Sequence, residues 1–417
     1  MRQRFQALLD ENAALENAIR QSIAGEKLAA PLHSVEELQQ KSLPPDSTLL
    51  EFQLGQKRSY LWLVDAHRVQ VFTLPSADVI ESYARPVVEQ LRNVLDRRRS
   101  SEKRMAFRRS LRKLSAALLG QLSEKQLLSR LVLAPDGVLY KVPFAALQLS
   151  GTTEPLGVEH DLVQVPSASY LLHAARPHLI SEFPQTILSI ADPVFSASDP
   201  RVTGGGRKLQ GSATSELPRL PFNAEVELIE AMVPRARYRT LRGFAASRAE
   251  LAHIRLADYA ILHFSTHALI DDGFPELSRI VLSQVTRAGR PVDGDLHPYQ
   301  LAQLQLNGAT VVLSACDTAL GKQVLGEGMM GFSSSLLYAG ASQLVLTLTA
   351  VDAVASSSFL TDVYRRFLKG TTSMEHSISL ARRTMMHSRR FSDPYYWASF
   401  IVIGRPVDTL KPGLASM

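Results

Sequence analysis

YAILHFSTHA, residues 259–268, is an apolar run that closes on Ser, Thr and His. A short run with apolar residues on both faces predicts a strand buried in a sheet, not an exposed one. ATVVLSACDTALG (309–321) repeats the pattern and reaches Cys316. TILSIADP (186–193) and SQLVLTLTA (342–350) are further runs of this kind, and WASFIVIG (397–404) is the last. Helices are predicted between them, at 224–232, at RAELAHI behind a Ser247 cap, at 296–306 and at 326–340. Two more follow at 354–369 and 372–387, the first strongly amphipathic through Phe359, Val363 and Phe367. RYRTL (237–241) reads as a short strand and SRIVLSQ (278–284) as a peripheral one. Asn307-Gly308 and Gly340 are stop signals. Strands alternating with helices indicate an α/β fold with a mostly parallel sheet, its crossovers right-handed.

Upstream the rhythm differs. TLLEFQL, RSYLWLVDA and RVQVFTLP, between residues 48 and 75, predict an antiparallel meander. Helices are predicted at about 77–98 and 102–120. LVLAPDGVLYKVPFAAL (131–147) carries a Pro-Asp-Gly turn between apolar runs and reads as a hairpin or strand-turn-strand. Residues 1–25 have apolar residues at helical spacing, and 26–47, with Pro31, Pro44 and Pro45, read as a connector. SASDPRVTGGGRKLQGSATS (196–215) is a Gly/Ser-rich loop. The organisation expected is an N-terminal helix and connector (1–45), an α/β half (46–180) and a second α/β unit (181–417).

Composition bounds the function. The 417 residues are 45% hydrophobic and 21% charged, enough to bury a sizeable core. The net charge of +6 is concentrated between Arg92 and Lys113, where Phe107 is the single aromatic residue and gives no interleaved platform for base stacking, so a solvated helical face is expected and not a nucleic-acid surface. Cys316 is the only cysteine, which excludes an intramolecular disulfide. The N-terminus has no apolar signal core, and no run approaches the roughly 20 residues that span a bilayer. A cytoplasmic protein without a membrane partner is expected.

Sites in open parallel sheets form beyond the carboxyl ends of the strands. Two strands here end in reactive side chains, His267 and Cys316. If they are neighbours, about 4.8 Å apart, their exits bring an imidazole to a thiol. The alternatives are an inert core cysteine and a merely satisfied histidine. His263 and His267 form an HxxxH pair, but on a strand residues four apart lie about 13 Å from each other, too far to share a metal. His263 is assigned to structure and His267 to chemistry, with no cofactor expected.

THALIDDGFPELSRIVLS (266–283), VVLSACDTALG (311–321), GEGMMGFSSSLLYAGASQLVLTL (326–348) and PYYWASFIVIG (394–404) together resemble the CHAT domain family, grouped with caspases, separases and gingipains. LAPDGVLYKVPFAAL, VEHDLVQVPSASYLL and LSIADPVF extend the resemblance upstream, so that it covers about 46–405 in order. It implies a caspase-like three-layer α/β/α sandwich, preceded by a degenerate caspase-like half. It also implies a cysteine endopeptidase acting on a protein substrate through a Cys316–His267 dyad, under an activating protein partner. The backbone N–H groups of Ala268 and Cys316 would hold the oxyanion, and Asp271, Asp272 and Asp317 would line a substrate pocket. Ala268 stands where the family often has Gly, and Thr349 where it often has Trp. Tetratricopeptide repeats often precede such domains, and residues 1–25 are either a remnant of them or a cap. The alternative reading is a catalytically inactive scaffold of the same fold.

Overall fold

The computed structural model describes residues 34–92, 100–174, 178, 180–203, 217–220, 224–269, 275–314, 323–324, 328–329, 332–349 and 351–407. The helix expected within residues 1–25 lies outside them. Strands in chain order are β1 (Ser47–Gln53), β2 (Ser59–Val64), β3 (Val69–Leu74), β4 (Arg130–Ala134), β5 (Asp161–Gln164), β6 (Gln185–Ala191), β7 (Tyr238–Arg242) and β8 (Tyr259–Ser265). They continue as β9 (His267–Leu269), β10 (Arg279–Val281), β11 (Asp295–Leu296), β12 (Thr310–Leu313), β13 (Gln323–Val324), β14 (Gly328–Met329), β15 (Gln343–Thr347) and β16 (Phe400–Gly404).

Eleven of these form one sheet, in the order β3-β2-β1-β4-β5-β16-β15-β12-β8-β6-β7. Seven of its ten pairings are parallel; the meander β1-β2-β3 and the pair β15-β16 are antiparallel. The C-terminal strands thus run β7-β6-β8-β12-β15-β16, in which the chain goes to one side of β6 and then returns to the other. That reversal is a topological switch point, and in such sheets a crevice is expected outside the carboxyl ends of the two strands concerned, here β6 and β8.

Both faces of the central strands are covered, which is why these strands read as continuous apolar runs. β8, β12 and β15 are buried at every residue. Helices Ala353–Phe367 and Met374–Met386 pack together, and Phe359 of the first stacks on Phe400 of β16 at 4.2 Å. In β1 the alternation is explicit: Leu50 joins the main core, while Leu49 meets Leu38 and Leu171 on the opposite face. Leu38 lies on helix Val35–Lys41, inside the segment expected as a connector; Ser34 caps it by accepting from the Glu37 N–H.

One local expectation fails. Residues 131–147 form no hairpin: after β4 the chain takes two short 3₁₀ turns, Gly137–Lys141 and Phe144–Ala146. β4 has parallel neighbours on both sides, β1 and β5, so no edge is open to a returning strand. Gly137 makes the turn at φ +55°, and the second apolar run is buried as turn instead. Downstream, the helices expected over 296–306 and 326–340 are described only as Pro298–Leu301 and Phe332–Tyr338.

The N-terminal and C-terminal strands meet at β5 and β16, where one register pair, Ile403 opposite Gln164, is made. Buried charges reinforce this narrow seam. Arg130 of β4 reaches Glu375 of helix Met374–Met386 (3.5 Å) and Asp46 (3.0 Å). Glu375 also accepts from Gln343 Nε2 and from the Val407 N–H, both at 3.1 Å. Burial pushes its carboxyl upward against the opposing pull of Arg130. Removing Glu375 leaves the buried Arg130 guanidinium with only Asp46 of its two acidic partners. Glu375→Ala should therefore cost about 3–5 kcal/mol in chemical denaturation, and Arg130→Met/Glu375→Leu should recover most of that loss.

On the surface of the same seam, His376 Nδ1 donates to Asp161 of β5 at 3.1 Å, and this hydrogen bond raises the histidine's pKa. A raised native value means the contribution is complete below the ordinary histidine range and fades as pH rises through the raised value. His376→Gln should therefore destabilise by a few tenths of a kcal/mol near pH 5 and by nothing measurable near pH 9, read from denaturation midpoints.

Candidate active site

β8 and β12 are adjacent and parallel, with His263 opposite Val312 and Phe264 opposite Leu313. The pairing continues past β12, where the Ser314 N–H donates to the Phe264 carbonyl at 2.9 Å. Beyond β8 the chain leaves the large sheet. Thr266 is buried and its hydroxyl donates to the Val281 carbonyl, and the next residue, His267, begins β9 in a separate three-stranded sheet with β10 and β11. His267 stands opposite Val281 there, and Ala268 opposite Ile280. Cys316, Asp271, Asp272 and Asp317 lie outside the described residues.

His267 is half-buried at the crevice, its ring 5.0 Å from that of Phe195. Its Nε2 lies 2.8 Å from the carbonyl oxygen of Pro218. A carbonyl only accepts, so Nε2 carries the proton and Nδ1 of the neutral ring keeps its lone pair. Pro218 was not singled out in the sequence, and a backbone carbonyl leaves no side-chain signature there.

The other wall of the crevice is built on Asp192, immediately after β6. It is buried, and it adopts φ +48°, a left-handed conformation that Asp tolerates better than most residues. Arg219 grips its carboxylate with two hydrogen bonds, Nε to Oδ1 at 2.8 Å and Nη2 to Oδ2 at 2.6 Å. Arg201 adds an ion pair to Oδ2 at 2.8 Å and donates to the Asp192 carbonyl at 2.9 Å, while its own outer edge is held by Asp199. Arg201 reads as an ordinary loop charge in the sequence, and Arg219 has no local signal because its partner lies 27 residues away.

His263 has the structural place expected for it. It is fully buried, with Nδ1 2.8 Å from the Tyr364 hydroxyl and Nε2 3.2 Å from Glu225 Oε1. Burial, with the Glu225 carboxylate, holds the Tyr364 phenol well above its usual range, so it stays neutral. The consistent proton arrangement runs Tyr364 O–H to Nδ1 and Nε2–H to Glu225. The chain ties helices Ala353–Phe367 and Ala224–Glu230 to β8 and leaves no ring nitrogen for a metal. Among the described residues no cluster of three or more metal-ligating side chains occurs. Tyr364→Phe leaves His263 Nδ1 buried without a donor and should cost about 1–3 kcal/mol in thermal or chemical unfolding.

The model of the CHAT domain matches residues 108–405. Tetratricopeptide repeat protein 28 of Mus musculus is 26% identical over 320 residues, covering 68% of this chain and 12% of that protein. Its Homo sapiens counterpart is 25% identical with the same coverage. The chain therefore spans 12% of the length of these curated relatives. Among solved structures, the Saccharomyces cerevisiae separase–securin complex superposes with a TM-score of 0.56 at 10% identity, over 90% of this chain and 31% of that one. At that identity the likeness shows the fold, a caspase-like α/β sandwich with a large, mostly parallel sheet.

Proposed function

This chain belongs to the CHAT domain family, and on that premise we propose that it is a cysteine endopeptidase whose Cys316 and His267 form the catalytic pair. The observation that carries the reading is the parallel pairing of β8 with β12 up to Ser314. His267 follows the end of β8 by two residues, and Cys316 follows Ser314 by two. A caspase-like fold and a histidine whose Nε2, and not Nδ1, faces the Pro218 carbonyl support it.

In the proposed reaction the Cys316 thiolate attacks the scissile carbonyl carbon, and the electron pair moves to oxygen. The backbone N–H groups of Ala268 and Cys316 receive that oxyanion. Collapse expels the amine, which takes its proton from the His267 imidazolium, and leaves a thioester on Cys316. His267 then takes a proton from water, whose hydroxide cleaves the thioester to the free acid and regenerates the thiolate. Asp271, Asp272 and Asp317 are proposed to line the substrate pocket, and residues 46–180 to form a non-catalytic half beside the catalytic one at 181–417.

The substrate is a protein, and activity is proposed to depend on a protein partner. The curated relatives carry tetratricopeptide repeats in their name, and the separase structure is a complex with securin. Among the described residues no helix is long and apolar enough to cross a membrane. The competing reading is an inactive scaffold of the same fold; this chain's retention of both His267 and its single cysteine favours the enzyme.

Cleavage of a mixed peptide library should be seen with the unaltered chain, supplied with its activating partner where one is needed. Cys316→Ala should abolish it, and His267→Ala should lower it by about 10²–10⁴-fold. Labelling of Cys316 by an electrophilic peptide should also fall in His267→Ala. Labelling indifferent to His267, with no cleavage, sinks the enzyme reading in favour of the scaffold.

A further inference from the structure

The residues next to the His267 contact raise a question of their own. Segment 217–220 forms no helix or strand, and Pro218 and Arg219 are exposed. A backbone carbonyl in such a stretch has many orientations to choose from, yet that of Pro218 is held 2.8 Å from His267 Nε2. The adjacent residue supplies the anchor. Arg219 meets Asp192 through two parallel N–H···O bonds, a geometry that fixes the guanidinium plane as well as its position. Asp192 itself is immobilised three ways: it is buried, it ends a strand of the large sheet, and Arg201 holds both its carboxylate and its carbonyl. β6 and β8 pair up to Ala191 opposite Ser265, so Asp192 and His267 leave neighbouring strands of one rigid frame.

We propose that Arg219, clamped by Asp192, is a positioning residue that holds the Pro218 carbonyl against His267 and so fixes the proton on Nε2 and the lone pair on Nδ1.

The benefit for catalysis rests on the reading of His267 and Cys316 given above. A ring with its proton on the wrong nitrogen, or rotated away, cannot take a thiol proton at Nδ1, and small misplacements of a reacting group cost large rate factors. The pairing also settles the role of Asp192. Its two oxygens are already engaged by two guanidinium groups, so it serves as an internal anion and is not free to read a basic substrate side chain.

The test uses the full chain with Cys316→Ala and ¹⁵N-labelled histidine, the His267 signals being identified by their loss in His267→Gln. In this parent the neutral ring should be almost wholly the Nε2–H tautomer. Arg219→Met keeps the length of the side chain and removes the fork; it should give a mixture of tautomers with an unchanged melting midpoint. Asp192→Asn, which tolerates the left-handed backbone, should also give a mixture of tautomers. Arg219→Lys, a point charge without the fork, should lie between. With Cys316 restored, Arg219→Met should lower kcat by about tenfold or more while KM changes little. An unchanged tautomer ratio in folded Arg219→Met overturns the clamp, whatever the activity. A tautomer shift in a chain that cleaves nothing upholds the clamp and removes the peptidase reading instead.

Discussion

Parallel strands pair side by side only where the segment between them returns over a face of the sheet, and the pairing of β8 with β12 is the contact on which the site depends. It joins two chain segments about fifty residues apart and sets them in a register that continues past the end of β12 through the Ser314–Phe264 hydrogen bond. Neither strand has an alternative partner at that position, because β6 and β15 close the other sides. A substitution that shifted this register by one residue would turn every buried side chain of β8 to the opposite face. The fully buried Tyr364–His263–Glu225 chain opposes such a shift, since only one register brings His263 to both its partners.

The sheet is unusually long because β16 runs antiparallel to β15 and parallel to β5. One register pair is a thin join for eleven strands, and the structure compensates with buried polar contacts. Arg130, Glu375 and Gln343 are buried at the seam, and His376 meets Asp161 on its surface. Such contacts add little stability relative to apolar packing, but they tolerate no mismatch, so they specify which strand ends meet. β16 pairs in turn with β15, and β15 with β12, so the seam is joined through consecutive ladders to the strands that carry the site.

The crevice shows two kinds of charge. Asp192 is neutralised internally by Arg201 and Arg219, so that it shapes the backbone without offering a free carboxylate. Among the described residues, His267 meets one neutral backbone acceptor and packs against Phe195. A carbonyl partner, which only accepts, selects one tautomer of a neutral imidazole.

Much of this was legible in the residues. The buried runs at 186–193, 259–265 and 342–350 became β6, β8 and β15, because a strand covered on both faces must be apolar at consecutive positions. The meander, the Ser247 cap and the structural role of His263 were legible for equally local reasons: alternation, spacing and the length of a strand residue. The 131–147 turns were not, since their conformation follows from β4 being flanked by β1 and β5, and strand order is a property of pairing between distant segments. The Pro218 carbonyl was hidden because every residue has one, and the Arg219–Asp192 clamp because 27 residues of chain separate its members. The sequence by itself determined the fold class and the family, which are local patterns of burial and chemistry. Only the tertiary structure decided which strands are neighbours, which nitrogen of His267 is occupied and which acid is already spent, because each of these depends on groups brought together by the sheet and not by the chain.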